Sequence, residues 1–299
     1  MLENLTTEAR NERTMSLDEM SVAELLTVMN EEDAKVAGAV KREIPKIAEA
    51  VTAITESLRK GGRLIYMGAG TSGRIGLLDA VECPPTFGTS PDQVVGLIAG
   101  GSNAFIKAVE GAEDRAELGM ADLQNLNLTA DDAVVGLAAS GRTPYVIGGA
   151  EYAKRIGAAT VSISCNKNAV ISSKADIAIE IENGPEVLTG STRLKAGTSQ
   201  KLVCNMLSTA SMIGLGKVYG NLMVDVQPTN EKLADRAKRI VMEATACDAE
   251  TAANTLNLAE GKPKPAILMI LTGCTYAEAL KKLEQSRGFI GKAAKLTLN

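Results

Sequence analysis

The stretch Arg63-Leu64-Ile65-Tyr66-Met67-Gly68-Ala69-Gly70-Thr71-Ser72-Gly73-Arg74-Ile75-Gly76-Leu77-Leu78-Asp79-Ala80 decides the fold. An apolar, strand-forming run leads through a glycine-rich turn into a segment of helical character. A helix start leaves its first N–H groups without intrahelical partners, so a strand, a glycine-rich turn and a helix in that order build a seat for an anion. Thr71 and Ser72 add hydroxyl donors.

Four more apolar runs follow, Val94–Ala99, Ala133–Ala138, Thr160–Ser164 and Ile177–Ile181, with helical stretches between them. They show little alternation, as expected of parallel strands covered by helices on both faces. The expected fold is α/β, a three-layer, doubly wound, parallel five-stranded sheet that binds its ligand beyond the C-terminal ends of the strands. Residues 1–60 read as a helical arm, 61–235 as the α/β domain and 236–299 as a small helical bundle. In the arm, Ser16…Glu19 and Ser21…Glu24 fit the capping box. Val36, Val40, Ile44, Ile47, Val51 and Ile54 form an apolar stripe, and Pro45 kinks or restarts the helix. A long helix is expected from Ser191 to about Leu215, and another over Asn230–Ala244. Asp248 and Thr275…Glu278 read as N-terminal caps, and Ala266–Leu271 as a buried helix. Pro228 and Gly261–Pro265 are the only linker-like signals.

The composition narrows the chemistry. The chain has 299 residues, 45% hydrophobic and 23% charged, as in a soluble globular protein. A net charge of −4 offers no basic field for nucleic acid. No apolar stretch approaches the roughly 20 residues that span a bilayer, so no membrane partner is expected. Met1-Leu2-Glu3-Asn4 lacks the basic and apolar regions of a signal peptide, and a cytoplasmic location is expected. There is no histidine, which removes Ser-His and Cys-His catalysis and His-ligated metals. The cysteines Cys83, Cys165, Cys204, Cys247 and Cys274 are scattered, without metal or disulfide spacing. No metal and no cofactor are expected, and acid–base work falls to Glu, Asp, Lys, Tyr or Cys.

Gly68-x-Gly70-x-x-Gly73 matches the dinucleotide fingerprint. That reading needs an acidic residue at the end of the second strand to bind the ribose. The second strand ends Ile98-Ala99-Gly100-Gly101, and Asp92 precedes it, so the dinucleotide reading fails. A second loop, Ala139-Ser140-Gly141-Arg142-Thr143-Pro144, repeats the Ser-Gly-Arg of the first. A third hydroxyl-rich turn, Thr189-Gly190-Ser191-Thr192-Arg193, opens the long helix. Ser and Thr at helix starts are most often caps. Three such turns at the same end of the strands instead point to a cradle for one monophosphate, with Gly70, Thr71, Ser72, Gly73, Ser140, Gly141, Arg142, Thr143, Ser191, Thr192 and Lys195 as its candidate residues.

The two Ser-Gly-Arg loops in this frame resemble the sugar isomerase (SIS) domain, a phosphosugar-binding fold. More closely, six segments resemble the N-acetylmuramic acid 6-phosphate etherase family: Gly68–Arg74, Asp79–Thr86, Val109–Asp114, Ala139–Tyr145, Gly190–Thr198 and Gly220–Val226. The similarity runs nearly the whole length and shows no departure at these positions. It implies cleavage by water of the ether between the lactyl group and C3 of N-acetylmuramate 6-phosphate. The products would be N-acetylglucosamine 6-phosphate and D-lactate. It implies Glu82 as proton donor and Glu113 as the second catalytic acid, and a homodimer, with the SIS likeness extending to the vertebrate glucokinase regulator.

The residues suit that chemistry. In the open-chain sugar the C1 aldehyde acidifies the C2 proton, so one carboxylate can abstract it while another group protonates the departing oxygen, before water adds. Glu82 is expected at the end of the helix that the first loop begins, held by a Cys83-Pro84-Pro85 turn, where the helix dipole disfavours negative charge. Glu113 is expected in the first turn of a helix, where it favours it. Lys195, Arg193 or loop N–H groups are candidates to stabilise the enolate. A sugar-phosphate-sensing regulatory protein and a sugar-phosphate isomerase would use the same loops.

Overall fold

The computed structural model describes residues 5–107, 109–226 and 231–297. The linker-like Pro228 and the first residue of the expected Asn230–Ala244 helix lie outside them, as does Met1-Leu2-Glu3-Asn4.

Two helices precede the sheet, α1 (Val22–Arg42) and α2 (Ile44–Arg59). Ser21 and Glu24 close a capping box at the start of α1. The expected box at Ser16 does not form: Leu17–Glu19 is a single 3-10 turn without a Ser16 cap bond. Pro45 restarts the helix rather than kinking it. It lies in the first turn of α2, where its missing N–H leaves no gap in the hydrogen bonding.

The sheet and its helices follow in chain order as β1 (Leu64–Gly68), α3 (Gly70–Phe87), β2 (Val94–Ile98), α4 (Asn103–Ile106), α5 (Ala116–Asn125), β3 (Ala133–Leu137), α6 (Pro144–Ile156), β4 (Ala159–Ser164), β5 (Ile177–Glu180) and α7 (Lys195–Gly214). All four strand pairings are parallel, in the order β2-β1-β3-β4-β5. Every residue of β1 and β3 is buried, the physical reason for their unbroken apolar runs. β1 aligns Leu64 with both Val94 and Ala133, so the chain reverses its direction of growth between β1 and β3. At such a reversal the loops after the two strands diverge and leave a crevice. The expected doubly wound α/β fold is the one observed, with α7 starting at Lys195 rather than Ser191.

The chain divides into two compact units that do not follow chain order. One runs to Val81 and continues over Asp92–Ser208, so the N-terminal helices belong with the sheet. The other joins Glu82–Pro91 to the segment from Thr209 onward. The second unit contains α8 (Glu231–Thr245), α9 (Ala249–Leu258), α10 (Pro263–Thr272), α11 (Tyr276–Gln285) and α12 (Ile290–Ala293). Ala266, Ile267 and Leu268 of α10 are fully buried at its centre, so the apolar run there is a helix as expected. Asp248 caps α9, and Thr275 with Glu278 boxes the start of α11. Gly88 lines a cavity of about 230 Å³ together with Val224, Lys264 and Leu283. No helix among the described residues is long and apolar enough to cross a membrane.

Candidate active site

The first loop is built by its glycines. A Cβ on Gly73 would stand 2.7 Å from the Gly68 carbonyl oxygen and 2.7 Å from Ile98 Cγ1, so the turn closes only without side chains there. Gly70 adopts φ +52°, a left-handed conformation that turns β1 directly into α3. The N–H groups of Gly70, Thr71 and Ser72 precede the first helical bond, Gly73 N–H to Ala69 O at 3.2 Å. They are left without intrahelical partners, the arrangement on which the expectation of an anion seat rests.

Beside this loop lies a cavity of about 200 Å³, lined by Ala69, Gly70, Arg74, Glu110, Gly111 and Glu113 among others. The Arg74 guanidinium is held at its rim, donating to the carbonyls of Ala104 and Phe105 at 2.8 Å each. Glu113 is exposed and precedes α5, whose first residue is Ala116, so it does not sit in the first turn of a helix. It is placed by its backbone. The Glu113 carbonyl accepts the Tyr145 N–H at 3.0 Å, one of the amides that the start of α6 leaves unpaired. That bond brings Glu113 to the second loop. There Gly141 has φ +70°, Ser140 Oγ accepts the Arg142 N–H at 3.2 Å, and Thr143 occupies the N-cap of α6 with no side-chain cap bond. The buried Asn166 amide donates to the Ala139 carbonyl at 3.1 Å and anchors the loop from behind.

The third turn departs from expectation. The amides that open α7, those of Lys195 and Ala196, both donate to the Glu186 carboxylate at 2.9 Å. A carboxylate of the chain itself fills that helix start. Burial pushes the Glu186 carboxyl above its usual value, against the pull of those amides. Lys195 does not reach the loops: its side chain is 1% exposed and its Nζ pairs with Glu32 Oε2 of α1 at 2.7 Å. Burial would raise the Glu32 carboxyl, but hydrogen bonds from Lys195, Lys35 and Arg13 outweigh it and hold it at about 2. The start of α7 packs on the first loop at Gly197, where a methyl would stand 3.5 Å from Thr71 Cγ2 and 3.6 Å from the carbonyl oxygen of Thr192 in its own turn. One helical turn on from Ala196, the buried Gln200 accepts the Ser72 hydroxyl on its Oε1 at 2.8 Å. The Gln200 Nε2 is buried without a hydrogen-bond partner, an arrangement that costs about 1–3 kcal/mol.

Glu82 is exposed on α3, which continues through Pro84 and Pro85 to Phe87. The expected rigid turn after Glu82 is therefore helix, and Glu82 lies within it rather than at its end.

Residues 46–154 match the glucokinase regulatory protein N-terminal SIS domain, and residues 112–210 match the SIS domain. Over 293 residues the chain is 63% identical to an N-acetylmuramic acid 6-phosphate etherase from an Exiguobacterium species, covering 98% of this chain and 100% of that one. It is 63% identical over 292 residues to the protein of that name from Mycolicibacterium smegmatis, covering 98% of each. The chain belongs to the N-acetylmuramic acid 6-phosphate etherase family. Among solved structures it is similar to a phosphoheptose isomerase from Neisseria gonorrhoeae, with TM-score 0.49, 14% identity, and 64% of this chain and 98% of that chain covered.

In this etherase-family chain the structure gathers Gly70 and Glu113 in one cavity, Thr71 and the start of α7 at Gly197, and the Ser140–Thr143 loop against Glu113. It leaves Lys195 in the core. Sequence reasoning passed over Arg74 and Glu110 as cavity residues, although both stand inside the quoted motifs. It also passed over Gln200, which carries no local signal because it sits mid-helix on a buried stripe with Val203, Cys204 and Leu207.

Proposed function

We propose that this chain cleaves the D-lactyl ether of N-acetylmuramate 6-phosphate with water, giving N-acetylglucosamine 6-phosphate and D-lactate in the recycling of cell-wall amino sugars in the cytoplasm. The names of its relatives supply the substrate. The observation that carries the reading is the cavity lined by both Gly70 of the anion seat and Glu113. The 6-phosphate binds the first loop, with Thr71 and Ser72 donating, and the Ser140–Thr143 loop flanks it. In the open-chain sugar Glu113 removes the C2 proton, and the electron pair expels lactate from C3. Glu82 protonates the departing oxygen, and water then adds to the enal at C3. Loop N–H groups and Arg193 stabilise the enolate, since the Lys195 ammonium is committed to Glu32.

Glu82 is not among the residues that line the cavity with Glu113. We infer a homodimer in which Glu82 serves the site of the second copy.

Incubation with N-acetylmuramate 6-phosphate in deuterated water tests the chemistry. Lactate release with deuterium at C2 of the product is expected, and turnover without that label would sink the elimination. Homodimers of Glu82→Gln or of Glu113→Gln should be inactive, while a purified heterodimer of the two variants should regain one of its two sites. Lactate release by the single variants at the wild-type rate would remove the assignment, and a silent heterodimer would remove only the sharing.

A further inference from the structure

Ser72 is one of the two hydroxyl donors in the first loop, and its single proton is spent inside the protein, on Gln200 Oε1 at 2.8 Å. A phosphate oxygen only accepts hydrogen bonds, so Ser72 can help hold a phosphate only by giving its proton up to it. Gln200 itself is half satisfied: it is 1% exposed, its Oε1 is engaged, and its Nε2 has no partner. The contrast with Asn166 is instructive. Asn166 lies as deep beneath the second loop, but donates to both Thr7 Oγ1 and the Ala139 carbonyl and accepts from Thr6, so its amide is locked.

We propose that Gln200 is a positioning residue for the phosphate subsite, its amide turning over to release the Ser72 proton to the bound ligand. Amide oxygen and nitrogen have nearly the same size, so half a turn about the terminal torsion exchanges them in place. After it, Nε2 donates to Ser72 Oγ, which stays held, and the Ser72 O–H points to the phosphate. The Ser72–Gln200 bond is kept with its direction reversed, a bond to the phosphate is added, and Oε1 takes the unpartnered place that Nε2 leaves. The backing of α7 keeps this exchange local, because the Gly197 face packs on Thr71 and Asn205 and Ser208 hold Asp79 of α3, at 2.7 and 3.1 Å. The inference rests on the reading of the first loop as the phosphate seat.

The test is binding of N-acetylglucosamine 6-phosphate by calorimetry to the full-length wild type, Ser72→Ala, Gln200→Glu and the double variant. An ionised Glu has the shape of Gln but only accepts, so binding is read at alkaline pH, where it keeps the Ser72 proton. About tenfold weaker binding is expected for each single variant, and no further loss in the double. Unchanged affinity in Ser72→Ala would overturn the phosphate-seat reading and this inference with it. Weakened binding in Ser72→Ala with unchanged binding in Gln200→Glu, or additive losses in the double, would overturn the role of Gln200 alone. If Gln200→Glu does not fold, the side-chain amide signal of Gln200 decides, assigned by its loss in Gln200→Met. In the wild type it should move downfield on addition of the sugar phosphate, as its N–H finds Ser72. A stationary signal at saturation would overturn the proposal, because a merely structural glutamine gains no partner when ligand binds.

Discussion

Glu32→Gln removes the only carboxylate within ion-pair distance, among the described residues, of a lysine side chain that is 1% exposed. The converse change, Lys195→Met, leaves Glu32 still paired with Lys35 at 2.5 Å and Arg13 at 3.1 Å. The two halves of one contact should therefore differ in cost. Glu32 titrates at about 2 in place of 4.5, which at about 1.4 kcal/mol per pH unit stabilises the fold by about 3 kcal/mol at neutral pH. Stranding a buried charge costs about 3–5 kcal/mol. Glu32→Gln should lose that much, Lys195→Met no more than about 2 kcal/mol, and the double variant should recover most of the difference. The sign with pH follows from the depressed value. The Glu32 contribution is complete above 4.5 and is lost as the pH falls toward 2, so wild type should weaken through that window more steeply than Glu32→Gln. Urea unfolding followed by far-ultraviolet circular dichroism reads both, since the chain has no tryptophan. Equal stability of the two single variants, or the same acid limb with and without Glu32, would refute the reasoning.

Gly73→Ala drives a methyl to 2.7 Å from the Gly68 carbonyl oxygen, in a turn with no slack. It should cost about 1–3 kcal/mol by the same unfolding assay and abolish detectable binding of N-acetylglucosamine 6-phosphate. Asp132 is 1% exposed and accepts the Arg63 N–H at 2.8 Å, the Arg63 guanidinium at 2.7 and 3.0 Å, and the Thr129 N–H at 2.8 Å. Asp132→Ala takes the partner from the Arg63 and Thr129 amides where β1 and β3 begin and leaves the Arg63 guanidinium to the Leu126 and Asn127 carbonyls, and stability should fall by about 3–5 kcal/mol.

The sheet was legible because each strand is an apolar run that must be buried on both faces, and the turn after β1 because its glycines have steric reasons visible as spacing. What could not be read depends on distant partners. Lys195 looks like a ligand for phosphate until α1 supplies Glu32, which lies 163 positions away in the chain. The helix start of α7 looks open until Glu186 folds back over it. The Cys83-Pro84-Pro85 sequence reads as a turn that leaves Glu82 at a helix end, yet both prolines fall in the last turn of α3, which runs on to Phe87. Gln200 has no pattern of its own, and only the packing of α7 on the first loop turns a mid-helix glutamine into a neighbour of Ser72.

The interleaving of the two compact units bears on how the chain is made. Residues 82–91 leave the ribosome well before Thr209, where the rest of their unit begins. At about 5–20 residues per second the wait is on the order of ten seconds. Through that interval the decapeptide, with Cys83 and Phe87 destined for burial, has no completed unit to join. A nascent chain that ends before Thr209 therefore carries residues 82–91 without the rest of their unit, and the burial of Cys83 and Phe87 waits on what is made last.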